Sequence, residues 1–514
     1  CPLLIKENEM VETEKLLVLN RGDPARRVIH TARKLEIPTA TVFTPDDEKS
    51  LHVKDANEAH KIESYSDIAG AVKIARRIGA KMIHPGWGFE SENPKFPRAC
   101  DKAGIIFIGP SEEAMKKAGD KKRAKNTAKK LEIPVIKSSL RKTPAGITKW
   151  ATKNGLSDGE ESFPMMIKAA RGGGGLANTA VFHLEDINAA IERLTDRSGK
   201  HFGNSTIFIE QYIPNARHVE VQLLGDQHGN LVYQGTRDCT IQYRNQKVIE
   251  VAPASFLTLN QEKLLQDYAL AIGKAIEYSS AGTAEFLITP DGEIFFMEFN
   301  PRLQVEHGIT ELITGDDLVE EQIRIAQGEH LVFSQEDIKF NGVAIEARVN
   351  AQTINPTDPK TLMASSGVVE QVIFPKGKDI RVDHSLYDGY ELNLNYNPTQ
   401  AKVMAWSPSR EEAIQKLREA LGCFEVKGVK TNIPLLLIVL SHPRFLAGTH
   451  TTTFFEEMLE EMVKAGAIGG AVAFALQERQ REEEVVVFPK TYDPWRQAGR
   501  MEQMSRGSNL RKGW

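Results

Sequence analysis

The sequence lacks several features that would define its class at once. No run of about 18 apolar residues occurs, so no membrane-spanning helix is predicted. The four cysteines, Cys1, Cys100, Cys239 and Cys423, lie far apart without a C-x-x-C pair, which argues against a zinc ribbon or disulfide framework and favours a reducing compartment. The net charge is −4, from 65 basic and 69 acidic residues, so there is no basic excess. We therefore expect neither a nucleic-acid nor a membrane partner.

The length of 514 residues predicts about three domain-sized units. The sequence begins at Cys1 rather than Met, which suggests a processed or incompletely represented chain. A removed organelle-targeting peptide is compatible with that start. The predicted location is therefore the cytoplasm or the mitochondrial matrix.

Short apolar segments and helical patterns alternate in the first part of the chain. Strands are predicted at 15–20, 38–44, 81–84 and 104–108, and helices at 25–35, 67–78 and 93–103. This repetition of βαβ units predicts a parallel sheet over residues 12–115. A loop with the sequence HPGWGFESENP, residues 84–94, follows one predicted strand at its carboxyl end, where open α/β sheets bind ligands. Residues 111–131 then form a basic stretch, predicted to be helical.

A β-hairpin is predicted over residues 283–300. Two segments rich in β-branched and aromatic residues flank Asp291-Gly292, a pair typical of a two-residue type I′ turn. Such a turn sets Pro290 opposite Glu293, and counting outward sets Glu285 opposite Glu298 and Thr283 opposite Asn300.

Two carboxylates facing each other across strands repel, so something must compensate for their charge. A divalent cation is one candidate, and two Glu with an Asn form an all-oxygen set that suits Mg²⁺ or Mn²⁺. The alternative is an ordinary hairpin with Glu285 and Glu298 on a solvated face.

The residues after Asn300 favour the functional alternative. Arg302, Gln304 and Glu306 occur at every second position, and an extended chain would direct all three to one side. An Arg, an amide and a carboxylate together can hold a small planar oxyanion and remove a proton from it. The segment EFNPRLQVEH resembles the signature of the biotin carboxylase component of biotin-dependent carboxylases, in the ATP-grasp superfamily.

A second feature supports the resemblance. Strands predicted at 163–169 and 179–182 flank a run of four glycines, Gly172, Gly173, Gly174 and Gly175. A strand–glycine–strand order differs from the Walker and Rossmann loops, which open a helix. Glycine backbone can approach phosphates closely, and Lys168 is near in sequence. The segment KAARGGGG resembles the family's glycine lid over ATP.

The resemblance covers residues 12–457 and implies a mixed α/β architecture of four regions. These are an N-terminal biotin carboxylase domain with a parallel βαβ sheet (1–115), an ATP-grasp domain (116–335) with a lid at about 135–209, a C-terminal α+β biotin carboxylase domain (336–457), and a helical segment with a polar tail (458–514). We expect the tail to be an interaction segment toward a carrier or partner, or disordered.

The resemblance also implies a reaction and its residues. ATP and bicarbonate would form carboxyphosphate, which carboxylates biotin on a carrier protein. The implied metal ligands are Glu285, Glu298 and Asn300. Bicarbonate would be held by Lys247, Arg302, Gln304 and the Val305 backbone, with Glu306 as general base. Arg348 would stabilise the biotin intermediate beside Trp87. ATP would contact Lys121, Lys168, the four lid glycines, Glu210, Ile213, His218 and Gln242. His218 and Arg348 could equally be a structural histidine and a surface charge on their strands.

The implied partners are a biotin carrier and a carboxyltransferase subunit, with a homo-oligomer expected. The sequence AMKK around Lys116 partly mimics a biotin attachment motif. Its helical, lysine-rich context argues against that role, because a biotinyl lysine belongs at the tip of a small β-hairpin. We therefore expect the carrier to be another chain or segment.

Several positions depart from the residues usual in the family. Asn245 replaces His, Leu176-Ala177 replaces a basic residue and Gly, Gln211 replaces Lys, and Asn397 replaces Asp. Most of these positions adjoin the nucleotide or the lid, whereas none lies between Glu285 and Glu306. Two alternatives therefore stay open beside a working biotin carboxylase. One is a degenerate, non-catalytic scaffold or regulatory subunit, and the other is an ATP-grasp ligase that activates a different carboxylate.

Overall fold

The computed structural model describes residues 14–141, 144–153, 165–169, 178–181, 183, 185–198, 207–355, 357–392 and 395–464. The glycines at 172–175, Leu176-Ala177 and residues 465–514, which include the polar tail, lie outside the described residues. No helix in the described ranges is both long and apolar enough to cross a membrane.

The N-terminal region is a parallel sheet flanked by helices, as predicted. Its strands run in the order β3-β2-β1-β4-β5, and β1 is wholly buried at the centre, as its apolar sequence LLV requires. The elements are β1 Leu16–Val18, α1 Gly22–Lys34, β2 Thr39–Phe43, α2 Leu51–Asp55, β3 Glu58–Lys61, α3 Ile68–Ile78, β4 Met82–His84, α4 Lys95–Lys102 and β5 Ile106–Phe107. Of these, α2 and β3 were not predicted, because β3 (EAHK) has no apolar alternation.

The middle region contains a small antiparallel sheet, β6-β9-β7-β8, and the first five strands of a large one. Its elements are α5 Glu112–Gly119, α6 Lys121–Lys130, β6 Ser138–Arg141, α7 Pro144–Lys153, β7 Met165–Ala169, β8 Asn178–Val181, α8 Asp186–Ser198, β9 Ile207–Gln211, β10 Arg217–Gly225, β11 Leu231–Tyr243, β12 Gln246–Ala252, α9 Leu259–Ala275, β13 Ser280–Ile288, β14 Ile294–Asn300, α10 His307–Thr314 and α11 Leu318–Ala326.

The basic stretch at 111–131 is not one helix. Ser111 caps α5 by accepting a hydrogen bond from the Ala114 amide, and Asp120 caps α6 by accepting from the amides of Lys122 and Arg123. Asp120 thus separates the two helices. It follows the last residue of α5, and its carboxylate satisfies the first amides of α6, which otherwise lack partners at a helix start.

The C-terminal region continues the large sheet across the predicted domain boundary at 335/336. The eight strands follow the order β14-β13-β10-β11-β12-β15-β22-β20, and β12 pairs antiparallel with β15. The elements are β15 Val343–Asn350, β16 Gln352–Ile354, β17 Leu362–Ala364, β18 Gly367–Val368, β19 Gln371–Ile373, β20 Ile380–His384, β21 Glu391–Leu392, β22 Thr399–Ser407, α12 Arg410–Gly422, β23 Glu425–Lys427, α13 Ile433–Ser441, α14 Pro443–Leu446 and α15 Phe454–Lys464. The segment GVVEQVIFP at residues 367–375 forms two short strands, β18 and β19, which pair with different partners, β21 and β23.

Candidate active site

The large sheet carries a row of charged residues on one face, from its β14 edge to β20. Direct register pairs place Glu298 opposite Glu285, Glu285 opposite Glu220, and Glu220 opposite Arg237. Further along, Glu250 faces Glu346, and Lys402 faces both Arg348 and Asp383. Since side chains two apart on a strand share a face, the pleat brings residues from all eight strands into one largely buried polar layer.

The register of the β13–β14 hairpin agrees with the prediction at the site but not at the turn. Thr283 faces Asn300 and Glu285 faces Glu298, whereas Thr289, not Pro290, bonds to Glu293. The turn has three residues, with Gly292 at φ +86°, and a bulge after Glu285 absorbs the one-residue offset. The three-residue turn shifts the strand register by one residue, and the bulge shifts it back. Without the bulge, Glu285 and Glu298 would lie on opposite faces of the sheet.

Glu285 is buried and surrounded by hydrogen-bond donors. Lys247 Nζ lies 3.0 Å from its Oε1, which also accepts from Asn300 and Gln304 at 2.8 Å. The His218 Nε2 lies 3.0 Å from its Oε2. Burial raises the pKa of the Glu285 carboxyl, but Lys247 and His218 outweigh burial and hold it well below its usual value. Glu285 is thus an ionised carboxylate.

The second hairpin carboxylate has its own cation. Glu298 Oε2 lies 2.6 Å from Nζ of Lys121, the first residue of α6. The nearby negative charge of Glu298 is the main reason why the Lys121 pKa is raised, although burial opposes it. Lysines therefore compensate for the charge repulsion expected between Glu285 and Glu298.

Lys247 is the centre of a cluster of buried charged side chains. Its ammonium group contacts Glu220, Glu285 at 3.0 Å and Glu306 at 2.6 Å. Burial lowers the Lys247 pKa, but the surrounding negative groups raise it well above its ordinary value. The lysine is thus a fixed positive charge among three carboxylates.

The segment predicted to be an extended run turns sharply at its end. Glu306 is the N-cap residue of α10, and Val305 and Glu306 form a turn, so the strict alternation does not continue. Arg302 pairs with Glu92 of the 84–94 loop at 2.6 Å. Gln304 bonds Glu285 and accepts from Arg237. Gln304 and Glu306 still reach the same cluster, because the turn brings Glu306 back toward Lys247.

Glu306 is held by two cations. Its Oε1 accepts from Lys247 at 2.6 Å, and its Oε2 accepts from Arg348 Nη2 at 2.8 Å. Arg348 Nε donates to Glu250 at 2.6 Å. Burial raises the Glu306 pKa, while Lys247, Arg348 and Arg237 hold it well below the usual value. Arg348 is therefore paired within the buried cluster rather than being a surface charge.

The aromatic residue of the 84–94 loop is packed beside the cluster. Trp87 is 8 % exposed, its ring centroid lies 5.4 Å from that of His307, and Lys402 Nζ lies 4.8 Å from it. Asn20 Nδ2 donates to the carbonyls of Pro85 and Trp87. Gly86 between them, at φ +62°, permits this close approach, since a Cβ there would lie 2.8 Å from that nitrogen.

The residues expected near ATP are distributed around the cluster and toward the lid. His218 accepts from Gln242 at 2.6 Å and so connects Gln242 to Glu285. Glu210 forms an ion pair with Lys125, and Ile213 is buried nearby with Ile136. The backbone of Lys168 is part of β7, and its side chain lies outside the described residues.

The sequence analysis did not identify several residues of the cluster. Glu220, Arg237, Glu250, Glu346 and Lys402 are all fully buried. The signal that could have found them is polar alternation within otherwise apolar strands, as in HVEVQ and VIEVA. Such spacing usually marks a solvated face, and only the pairing of strands shows that this face is covered.

Asn245 lies in the two-residue turn between β11 and β12. Tyr243 faces Gln246, and the residues between them, Arg244 and Asn245, have φ of 50° and 63°. Asparagine suits this left-handed conformation, which gives a conformational reason for Asn at this position. The Asn397 side chain accepts a hydrogen bond from the Thr399 amide, which gives it a local role in the turn before β22. The Gln211 hydrogen bond to Lys137 is between backbone groups and does not explain the glutamine.

The cluster has the chemistry of phosphoryl and acyl activation. It joins fixed cations, an ionised carboxylate held in a turn, and a carboxylate pair suited to a hard divalent cation. This combination is that of the ATP-grasp ligases.

Three family models match in order along the chain. The biotin carboxylase N-terminal domain matches residues 12–115, the carbamoyl-phosphate synthase L chain ATP-binding domain matches 120–333, and the biotin carboxylase C-terminal domain matches 346–457.

Individual proteins agree with these models. The biotin carboxylase of Halalkalibacterium halodurans is 40% identical over 467 residues, covering 88% of this chain and 99% of the relative. The biotin carboxylase domain dimer of Hydrogenobacter thermophilus 2-oxoglutarate carboxylase, solved with MgADP, ADP and bicarbonate, has a TM-score of 0.82 and 39% identity, covering 86% of this chain and 97% of that one. Rhizobium etli pyruvate carboxylase has a TM-score of 0.80 and 36% identity, covering 86% of this chain and 40% of that one. The chain belongs to the biotin carboxylase family.

Proposed function

We propose that this chain carboxylates biotin on a carrier protein, using ATP and bicarbonate, with carboxyphosphate as the intermediate. The observation that carries the proposal is the position of Glu306 between Lys247 and Arg348, at 2.6 and 2.8 Å. A base, an anion-binding ammonium and a guanidinium that can stabilise an enolate are thereby adjacent. This is the set of groups that the two steps need.

Bicarbonate binding is assigned to Lys247, Arg302, Gln304 and the Val305 backbone. The Val305 peptide is fixed because its carbonyl accepts from the buried Lys402 at 2.9 Å. Lys247 and Arg302 are now paired with glutamates, so an anion that binds them competes with those partners. When bicarbonate takes Lys247 from Glu306, the Glu306 pKa rises, and the carboxylate becomes a stronger base at the moment it is needed.

The charge balance favours a metal at the hairpin. Four carboxylates (Glu220, Glu250, Glu285, Glu306) face three cations (Arg237, Lys247, Arg348) in the linked cluster. Two bound anions, bicarbonate and a nucleotide, need additional positive charge. Glu285, Glu298 and Asn300 are the hard oxygen donors that would hold Mg²⁺ or Mn²⁺, which would neutralise charge on the transferring phosphoryl group.

Nucleotide contacts are assigned to the residues between the cluster and the lid. Lys121 and Lys168 would meet the phosphates, together with the four lid glycines. Glu210, Ile213, His218 and Gln242 would line the remainder of the site. Trp87 and Arg348 would contact the biotin ring.

The chain is proposed to act with a separate biotin carrier and a carboxyltransferase, as a homo-oligomer. Its similarity to part of a longer pyruvate carboxylase supports partners of this kind. The proposed domains stay those of residues 1–115, 116–335, 336–457 and 458–514. A cytoplasmic or mitochondrial-matrix location stays a prediction, and the acyl acceptor is set by the carboxyltransferase.

The test is carboxylation of free biotin. The chain is incubated with ATP, Mg²⁺, bicarbonate and biotin, and both ADP and carboxybiotin are measured. We expect ADP formation that depends on bicarbonate and increases when biotin is added, with carboxybiotin formed only in the presence of biotin. Lys247→Gln should remove this activity, whereas Lys263→Gln, which changes an exposed lysine on α9, should leave it unchanged. No turnover with an intact fold would support the scaffold alternative, and ATP cleavage driven by another carboxylate would support the other ligase.

A further inference from the structure

Two buried carboxyl groups face each other directly behind Arg348. Glu250 on β12 is the register partner of Glu346 on β15, and both side chains are 0 % exposed. Directly opposed residues on antiparallel strands have Cβ atoms about 4.5 to 5.5 Å apart, and like charges there destabilise the pair. Glu285 and Glu298 have the same register relationship, but each of them has a cation.

Glu346 has no such partner. Glu250 Oε1 accepts from Arg348, whereas Glu250 Oε2 and both Glu346 oxygens have no hydrogen-bond partner among the described residues. An unpaired buried carboxylate is costly, and proteins usually avoid the cost by keeping the group protonated. A proton on one of these carboxyl groups would allow it to donate a hydrogen bond to the other, so that two of these three oxygens gain a partner.

The surrounding charges decide which carboxyl group carries the proton. The groups that face Glu346 are Lys402 from β22, Arg348 from its own strand, Glu250 from β12 and Glu306 from the start of α10. Lys402 Nζ is already engaged by the Val305 carbonyl, by Asp23 at 3.2 Å and by Asp383 at 3.5 Å. Arg348 donates to Glu250 and Glu306, so Glu250 is the member of the pair with a cation.

The pKa shifts of Glu346 and Glu250 agree with this assignment, because the carboxyl group without its own cation holds its proton more strongly. Burial raises the Glu346 pKa well above its usual value, more than Lys402 lowers it. Burial also raises the Glu250 pKa, but Arg348 opposes this and the value is about 7. Because the two sites interact, the first proton lost from the pair comes mainly from Glu250.

We propose that Glu346 is a neutral carboxylic acid that donates a hydrogen bond to Glu250 Oε2, and that through Glu250 it positions Arg348 for biotin. This inference rests on the proposed function of Arg348. The chain of contacts is Glu346 to Glu250, Glu250 to Arg348, and Arg348 to Glu306. Glu346 is a positioning residue, since it touches neither substrate nor base.

The arrangement has a functional reason. Arg348 must leave Glu306 in order to reach a biotin ring, and a Glu250 carboxylate fixed on its far oxygen keeps the guanidinium anchored at Nε during that change. If Glu346 were ionised, a second negative charge would hold Arg348 back in the sheet. Because Glu346 is neutral, Glu250 is the anion that holds Arg348 after Arg348 has left Glu306.

The proton can be observed directly by infrared spectroscopy above about pH 7, where Glu250 is ionised, without any activity. The difference spectrum of wild type minus Glu346→Gln should show the carbonyl stretch of a protonated carboxyl group, a band that shifts in D₂O and that the variant lacks. Glu250→Gln should keep the band, and Glu391→Gln, which removes an exposed carboxylate from β21, should leave the spectrum unchanged in this region. Absence of the band in wild type, or its survival in Glu346→Gln, would overturn the proposal.

Kinetics test the positioning role. Glu346→Gln keeps a donor for Glu250 and should retain kcat/KM for biotin within about threefold. Glu346→Leu removes the donor and should lower kcat/KM for biotin by about 10-fold or more, the ordinary effect of losing a hydrogen bond to a charged group. Bicarbonate-dependent ATP cleavage without biotin should change by less than about twofold in a folded Leu variant. Equal losses in both reactions would show a merely structural role and defeat the proposal.

The pH profile supplies a second readout. Biotin carboxylation by wild type should fall as rising pH ionises Glu346, and this loss should be absent in Glu346→Gln. Identical alkaline profiles would contradict the positioning role. If the chain does not carboxylate biotin at all, the proposed function fails, while the infrared result still decides whether Glu346 is protonated.

Discussion

Glu285 and Glu298 lie directly opposite each other on β13 and β14, and each is bonded to a different lysine, Lys247 for Glu285 and Lys121 for Glu298. The two carboxylates are therefore compensated by lysines from two different elements, β12 and α6. A divalent cation held by these carboxylates, as proposed above, would compete with both lysines for them. Metal binding would then be coupled to the binding of bicarbonate and nucleotide.

The first prediction concerns this pair. Glu285→Gln and Glu298→Gln should each raise the Mg²⁺ or Mn²⁺ concentration needed for half-maximal ATP cleavage, because each removes one anionic oxygen ligand. A metal titration of bicarbonate-dependent ATP cleavage measures this. Glu293→Gln, at an exposed position of the same hairpin, serves as the control. An unchanged metal requirement in both variants would exclude the hairpin as the metal site.

The second prediction concerns the base. Glu306→Gln should lower bicarbonate-dependent ATP cleavage by about 10²- to 10⁴-fold, the usual contribution of a general base, and should leave nucleotide affinity within a few fold. Single-turnover ATP cleavage and nucleotide calorimetry measure the two effects. Glu329→Gln, an exposed change, should be neutral. Turnover retained by Glu306→Gln would assign the proton transfer to another group.

The third prediction is that the chain carries no biotin. Lys116 lies on α5 and pairs with Glu112 at 2.7 Å and Glu113 at 2.6 Å, a helical setting unlike a biotinyl hairpin. Streptavidin blotting of the purified chain, beside a biotinylated carrier as positive control, should give no signal. Covalent biotin on Lys116 or on any other lysine would refute the prediction.

The fourth prediction concerns nucleotide affinity. Loss of a basic residue at Leu176 removes a hydrogen bond to a charged group, about 1.5 to 3 kcal/mol, so ATP should bind on the order of 10- to 100-fold more weakly than in a relative with the usual residue. Leu176→Arg with Asn245→His should restore affinity, and His tolerates the left-handed φ of 63° at position 245 better than most residues.

Calorimetry with ATP and bicarbonate-dependent turnover test the double variant together. Improvement in neither would show that these departures are neutral. Restored ATP binding without turnover would favour the scaffold alternative over the enzyme.

The fifth prediction concerns stability against pH. The Glu346 pKa is raised on folding, so the unfolded chain loses this proton first, and stability falls as pH rises above about 4.5 toward the folded pKa. Glu346→Gln removes this titration and should gain stability relative to wild type with rising pH, by at most about 1.4 kcal/mol per pH unit. Urea unfolding across the pH range measures the difference.

Glu311→Gln is the matched opposite case. Burial raises the pKa of Glu311, but Arg27, His307 and Arg381 outweigh it and hold the carboxyl ionised. The variant should lose about 3 to 5 kcal/mol at neutral pH, because buried cations lose their partner, and the loss should shrink as acid protonates Glu311 in wild type. Parallel pH trends for the two variants would refute the assignment of opposite charge states.

The sequence by itself determined the elements and the chemistry that depend on local pattern. Apolar strands alternating with amphipathic helices predict the parallel N-terminal sheet, and the Asp291-Gly292 pair between two apolar segments predicts the β13–β14 hairpin. The segment EFNPRLQVEH identifies the family. These features are local in the chain, so periodicity, turn chemistry and short motifs are sufficient to find them.

Only the tertiary structure decided which charges meet. The bulge after Glu285, the turn at Val305-Glu306 and the pairing of β12 with β15 across the predicted domain boundary set the contacts of Lys247, Glu306 and Arg348. Glu250 and Glu346 are almost a hundred residues apart and ordinary in sequence, and they become a buried pair only through strand register. The physical reason is that pKa, ion pairing and burial depend on distances between strands, which no local pattern specifies.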